Sequence, residues 1–512
     1  MSGRGRPAEA PAPAAVAPAA VGPAAVGPAA VGPAAGGGAA EERAPVAAAE
    51  RIVVDFAGEG EGEDEMSWGM WEIWQAMGRQ RSPLPIGGSA ALEPGTTLAG
   101  LAAELRYLLE RFPSMRTRLR FAPGGRARQR LFASGSVTLE VYDAAPGADA
   151  GEVAAAVEQA YREREFDFTA EWPVRMGAVR QGGRPVHLVT VMHHLATDAL
   201  GGAIMLRQVQ TRDTAPVSGM QQLEQARWQR SPAGRRQNAR ALRHFESVLR
   251  TMPARQLPGP TDPREPRHWG AEFLSPALTA ALPRIAARTG APVAGILLGL
   301  FAVGLYRATG ISPVVVRPVV GNRFRAAFAD VVCMVAQAGV CAIHVAGAGP
   351  ADVVKRAVQG SLTAYKHAYF DPEALDELIR RVSVERGTDA GIGTYFNNRS
   401  NYTLPAADAA AEPDARGLRA ARRDTVFRWY ERQETQTERF FVHVDDAPSG
   451  GLRFEIHVDT HHVSPAQAEA FAYAMEAAAI EAAFPDTEEA EFAAGTEGAE
   501  GADEPVAVES AR

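Results

Sequence analysis

The chain is short of lysine, of cysteine and of uninterrupted apolar sequence. Lysine stands only at Lys355 and Lys366, while arginine is abundant. With the excess of alanine, glycine and proline, this reflects GC-rich coding and carries no functional meaning. The two cysteines, Cys333 and Cys341, lie in an apolar stretch. A disulfide-stapled scaffold is therefore excluded, and reduced, buried thiols in a cytoplasmic protein are expected. No Cys or His spacing suits a structural metal. Proline breaks the alanine-rich N-terminus at short intervals, so that segment is neither a signal-peptide core nor a membrane span. Arginine is not gathered into a dense stripe interleaved with aromatics, which argues against nucleic acid as a partner.

What is present suffices for a large fold. Hydrophobic residues make up 46% of 512 residues, enough for two lobes of ordinary domain size. The net charge of −8 sits at the ends. Residues 486–512 hold nine acidic groups and one arginine, and residues 51–65 hold six and one, which leaves the middle mildly basic. Residues 11–35 repeat a Val-Gly-Pro-Ala-Ala unit that cannot build a core. Order is expected to begin near Met66, after a low-complexity and acidic linker over 1–65. An acidic, disordered tail is expected over 486–512. Between them helices and strands mix in both halves without a strict strand-helix-strand rhythm, the pattern of an α+β protein with lobes at 66–245 and 246–485.

The most informative stretch is Val186 to Asp198. Apolar positions from Val186 to Met192 suit a central strand covered on both faces, and small and apolar residues at helical spacing follow from Ala199. His193 and His194 thus fall where a strand ends and a helix is about to begin. Neighbours on a strand point to opposite faces, so one histidine can face a cleft while the other is held by the core. An imidazole in a cleft takes a proton near neutral pH. Asp198 also suits a helix N-cap. A second pair, His461-His462 after Asp459, lacks an aspartate at the same spacing and reads as a strand-to-helix turn before the Ser464 cap.

With these residues placed, the chain resembles the condensation domains of nonribosomal peptide synthetases. More broadly it is similar to the acyltransferase superfamily that includes chloramphenicol acetyltransferase. The resemblance runs in family order over about 66–485. Leu101 to Arg118, closing Arg-Phe-Pro-Ser-Met-Arg-Thr-Arg, resembles the "hxxLRT" signature. Phe166-Asp167-Phe168 and Trp172-Pro173-Val174-Arg175 resemble "FDL…PLxR". His193 to Asp198 matches "HHxxxDG" up to its last position, where Ala199 replaces glycine. Tyr306 to Gly310 and Val314 to Arg323 resemble the segment of the second lobe that closes in an arginine. Val332 to Ala342 departs from "GxFvN", with Gln337 near the expected asparagine, and Phe245 replaces a tryptophan.

The resemblance implies two chloramphenicol acetyltransferase-like lobes arranged in a V around a central tunnel. His194 would be the catalytic histidine, deprotonating or positioning an attacking amine or hydroxyl. His193 would be structural. Asp198 would pair with Arg175 and fix the loop, since an arginine fork matches a carboxylate. Ala199, Asn322 and Arg323 would lie at the cleft. A free-standing, monomeric member of the family is expected, in the cytoplasm, with no metal and no permanently bound cofactor. Its donor would be a thioester on the phosphopantetheine of an acyl or peptidyl carrier protein, and its acceptor a small amine or alcohol. An amide, or failing that an ester, would form in peptide natural-product assembly. Two rival readings stay open: a CoA-dependent O- or N-acyltransferase, and a non-catalytic recruitment module.

Overall fold

The computed structural model describes residues 47–121, 126–259, 262–404, 414–434, 438–448 and 450–485. The first lobe contains β1 (Glu50–Ala57), β2 (Gly62–Glu65), α1 (Trp68–Gln80), β3 (Ile86–Ala91), α2 (Leu98–Arg111), β4 (Thr117–Phe121), β5 (Ala127–Leu131), β6 (Ser134–Asp143), α3 (Ala150–Glu163), β7 (Val174–Gln181), β8 (Arg184–Met192), α4 (Ala199–Thr211) and α5 (Gln222–Arg230). Its main sheet runs β1-β6-β7-β8-β3, and β2-β5-β4 form a small second sheet. Leucines 101, 105, 108 and 109 on α2 pack one face of the main sheet, against Val54, Leu139, Met176 and Leu188. Ala154, Val157 and Tyr161 on α3 cover the other face, against Val179, Val189 and Val191. With helices on both sides, β8 is apolar nearly throughout, as its sequence indicates.

The expected start of order at Met66 is corrected. Glu50–Ala57 is a full edge strand paired antiparallel to β6, with Val54 opposite Val137. Val54 and Phe56 are buried, and Phe56 meets the Trp172 ring edge-on at 5.1 Å. The alternation Ile52, Val54, Phe56 is a strand signal whose apolar side enters the core. Flanking low-complexity and acidic sequence concealed it. The expected tail over 486–512 and the repeat over 11–35 lie outside the described residues.

The second lobe contains α6 (Pro232–Thr251), β9 (His268–Leu274), α7 (Pro276–Thr289), α8 (Val293–Thr309), β10 (Val314–Val320), β11 (Gln337–Ala338), β12 (Cys341–Ile343), α9 (Pro350–His367), α10 (Pro372–Arg386), β13 (Thr394–Asn398), α11 (Ala415–Ala421), β14 (Val426–Gln433), β15 (Phe440–Asp446), β16 (Leu452–Asp459) and α12 (Pro465–Ala483). Its sheet runs β11-β10-β13-β15-β16-β9-β14, with β12 also on β10. Helices α7, α8, α9 and α12 bury one face over Phe273, Phe440, Val442, Phe454 and Ile456. Every second residue of β15 and β16 points the other way, and that face carries His443, Asp445, Arg453, Glu455 and His457.

The lobes divide at Ser231 rather than at 245. Helix α6 belongs wholly to the second lobe, because Ala241, Phe245, Val248 and Leu249 pack with Val315, Phe370, Leu375 and Val382. A boundary inside α6 would have cut its apolar stripe in half. Phe245, where a tryptophan was expected, fills this core against Phe370 at 4.9 Å. Among the described residues no single helix is long and apolar enough to cross a membrane.

Candidate active site

Strand β8 ends between β3 and β7, and its last residue, Met192, pairs with Val174 on one side and Ile86 on the other. The chain then leaves the sheet under restraint. His193 N–H donates to the Pro173 carbonyl at 3.2 Å and His194 N–H to the Pro83 carbonyl at 3.3 Å. The two imidazoles diverge, as alternation requires. His193 turns into the core and packs edge-on to Phe166 at 5.1 Å and against Phe168 at 5.0 Å. Burial pushes its pKa down to about 3, so it is neutral at physiological pH.

His194 is half-buried. Its Nδ1 lies 2.9 Å from the Thr197 carbonyl oxygen. A carbonyl only accepts, so this contact puts the proton on Nδ1 and leaves the lone pair on Nε2. Burial lowers the pKa of this imidazole as well. Asp198 and the Thr197 carbonyl oppose that shift, and the positive charge of Arg399 on the second lobe adds to it. The ring is therefore a neutral base with a fixed tautomer.

Asp198 is buried and its carboxylate is saturated. Oδ1 accepts from Gly201 N–H at 2.9 Å, the N-cap bond of α4. Oδ2 accepts from Arg323 Nη1 at 2.6 Å and from the backbone N–H groups of Val335 and Ala336 at 3.1 and 3.0 Å. Arg323 also donates to the carbonyls of Gly321, Val331 and Cys333. The partner of Asp198 is thus Arg323, not Arg175, and it comes from the other lobe. Arg175, the second residue of β7, reaches with its side chain to the C-terminal end of α3. It donates to the carbonyls of Tyr161, Arg164 and Glu165, each at 2.7 Å, and to Glu171. The carbonyls left over where a helix ends satisfy its fork, so no aspartate is required there. Its guanidinium also lies 3.6 Å over the Phe166 ring, which in turn abuts His193. Arg175 thus supports the first histidine.

The other candidate cleft residues sort differently. Ala199 is exposed as the first residue of α4, so its extra methyl is accommodated. The position that demands glycine is Gly201, where an added Cβ would meet Thr197 and come within 2.8 Å of Arg323 Nη2. Asn322 does not line the cleft. It is buried with φ of 57° and donates to the carbonyls of Val335 and Ala368, both at 2.9 Å. It shapes the turn that delivers Arg323. The His461-His462 segment is a turn between β16 and α12, in which Asp459 is paired with Arg267.

Two features escaped the sequence reading. One is a second junction between the lobes. Glu72 on α1 accepts from Arg317 at 3.0 Å and from Gln337 at 2.9 Å, and Arg317 also donates to the Tyr395 hydroxyl. Burial pushes the Glu72 carboxyl up and Arg317 opposes it. The other is the polar face of the second sheet. There Arg399 is held by Asp445 at 2.8 Å and Glu455 at 2.9 Å, beside His443 and His457, whose burial drives their pKa values down. Charged residues at every second position of Leu-Arg-Phe-Glu-Ile-His were the available signal. Among the described residues no cluster of His, Cys, Asp and Glu could hold a metal ion.

The sequence matches the family model described as Condensation domain over residues 87–481. The chain belongs to the condensation-domain family. Condensation domains carry an acyl-transfer role, and some members are non-catalytic. The chain is similar to the condensation domain that mediates chain release from the enacyloxin polyketide synthase, with 21% identity, 82% of this chain and 83% of that one covered, and a TM-score of 0.59. It is similar to SgcC5 of Streptomyces globisporus at 18% identity, with 81% and 99% covered and a TM-score of 0.57. The starter condensation domain of rhizomide synthetase RzmA, solved in complex with C8-CoA, matches at 18% identity, with 82% and 95% covered and a TM-score of 0.58. At these identities the structural likeness establishes the fold: two chloramphenicol acetyltransferase-like lobes in a V. No curated protein matches the sequence.

Proposed function

We propose that this condensation domain transfers an acyl or aminoacyl group from a carrier-protein thioester to an amine, or in second place to a hydroxyl, in natural-product assembly. The observation that carries the reading is the fixed tautomer of His194, with Nδ1–H on the Thr197 carbonyl and Nε2 bare. As the acceptor nitrogen attacks the thioester carbonyl, Nε2 takes the proton from that nitrogen. When the tetrahedral intermediate collapses, the C–S bond breaks and the thiol departs with the proton. The thioester supplies the driving force, so the reading assigns the chain no metal and no resident cofactor. Catalysis is chiefly positioning, with general-base help. The reduced thiols, whose pKa values burial pushes up to about 12, suit a cytoplasmic setting.

A CoA donor is the second reading, favoured by the structural neighbour solved with C8-CoA. The deciding experiment compares octanoyl-carrier and octanoyl-CoA as donors to a panel of amines, for the wild type and His194→Ala. Transfer from the carrier that is lost in the variant supports the proposal. Transfer from CoA alone selects the second reading. Equal transfer by both proteins removes His194 from the chemistry, and no transfer from either donor points to a recruitment module.

A further inference from the structure

Behind the Asp198–Arg323 clamp lies a surface whose charge is one-sided. Helix α6 presents Arg236, Arg240 and Arg243 on one exposed stripe. One turn past Arg240, His244 stacks on His367 of α9, with ring centroids 4.9 Å apart. Next to His367 is the exposed Lys366, whose carbonyl accepts from Arg325 Nη2 at 2.9 Å. Three elements therefore bring five cations together. Among the described residues none of the five has a carboxylate within ion-pair distance. Further along the same helix, by contrast, Arg250 is paired with Glu246 and Glu385. The crowding is felt at His367, whose pKa falls to about 4 through burial and then through His244, Lys366, Arg325 and Arg240.

Two apolar side chains stand at the edges of this cationic area. Phe324 is 61% exposed beneath the Arg325 guanidinium, and Leu362 is 63% exposed one turn before Lys366. Exposed large apolar residues flanking unneutralised arginines suit a partner that is acidic and has an apolar contact of its own. The location matters as much as the charge. Arg325 follows closely on Arg323, which holds Asp198, and Leu200 of α4 packs against Gly321 at the start of the same segment. Residues 321–325 thus join this surface to the Asp198 clamp and, through Leu200, to the start of α4.

We propose that this surface docks an acidic carrier protein, with the phosphodiester of its phosphopantetheine against the arginines and the arm running past Leu200 toward His194. This rests on the carrier-donor reading above. It adds which face receives the donor and which residues select it.

The test is binding, measured apart from transfer, on the full chain. The probes are a phosphopantetheinylated acidic acyl carrier protein, its apo form, and a peptide of residues 486–512. They are titrated against the wild type, the double variant Arg240→Glu/Arg243→Glu, and a control with equal charge change at exposed sites elsewhere, Arg184→Glu/Arg288→Glu. We expect the holo carrier to bind the wild type and the control alike, more tightly than the apo form, and to bind the Arg240/Arg243 variant about tenfold more weakly with a flatter salt dependence. Octanoyl-pantetheine, which lacks the protein, should be used equally by all three enzymes. Equal carrier binding by the two double variants overturns the docking face while leaving the acyl-transfer reading intact. Binding of the peptide but not of the carrier overturns it in favour of the chain's own acidic segment. No carrier binding with transfer from octanoyl-CoA overturns both the face and the carrier as donor.

Discussion

His194 and Asp198 share one short turn and are held for opposite purposes. His194 has an unused nitrogen, whereas every site on the Asp198 carboxylate that faces protein is taken. Replacing His194 with alanine should lower the rate of transfer by about 10²-fold or more without changing the melting temperature. Because burial moves its pKa below 6.5, the ring stays unprotonated at neutral pH. The acid limb of the rate profile should therefore fall below pH 6.5, and a limb centred above it would assign the titration to another group. His193 makes a separate prediction. The unfolded chain takes up this proton near pH 6.5 and the folded chain only near 3, so stability present above pH 6.5 is lost as pH falls toward 3. Urea midpoints at pH 7 and pH 5 should differ less in His193→Phe than in the wild type. For Asp198→Ala, the stranded partner is Arg323, at a cost of about 3–5 kcal/mol. A double-mutant cycle should show strong coupling of Asp198 to Arg323 and none to Arg175. The family resemblance implies Arg175 as the partner of Asp198, and the structure replaces it with Arg323. Nothing in the sequence showed that the end of α3 would leave carbonyls for Arg175, or that a turn built on Asn322 would deliver Arg323 across the lobes.

Secondary structure was most legible where the pattern was long and strongly apolar. Helix α8 is an apolar run buried along nearly its whole length, β10 is a β-branched run, and α12 opens with Ser464 as cap and Pro465 in its first turn. The elements that were missed are short, polar or badly flanked. Strand β1 follows alanine-rich repeats and precedes a glycine-glutamate run, and composition outweighed its period-two pattern. Strand β9 is hidden by the prolines before it, the apolar pattern of α9 is interrupted by the polar Gln359-Gly360-Ser361, and α10 carries charge on every turn. The β1 finding alters where the chain can be cut. A chain beginning at residue 61 loses Val54 and Phe56 from the core, whereas one beginning at residue 47 keeps them. The shorter chain should unfold at lower urea or be insoluble. Phe56→Ala alone should cost about 3 kcal/mol, because it leaves a void beside Trp172. Equal stability of the two truncated chains would show β1 to be dispensable.

Across the whole molecule, the contacts that join the lobes include the Asp198 clamp, the Glu72–Arg317 pair and a close backbone approach. An added Cβ at Gly69 of α1 would come within 2.6 Å of the Met334 carbonyl oxygen on the second lobe. Gly69→Val should therefore shift the lobes or break the contact, lowering both the melting temperature and the transfer rate. Small-angle scattering would register the change of shape, and an unaltered profile with full activity would mean that the junction yields freely. The clamp at Asp198 has a consequence for traffic. Of the four hydrogen bonds on that carboxylate, three come from the second lobe and one from its own helix. Swinging the lobes apart would strip the three at once, in the same turn that aims His194. A gape wide enough to swallow a substrate broadside would thus disarm the site at the moment of loading. On the acyl-transfer reading, reactants would then be fed end-on, like thread through a needle whose eye keeps its shape.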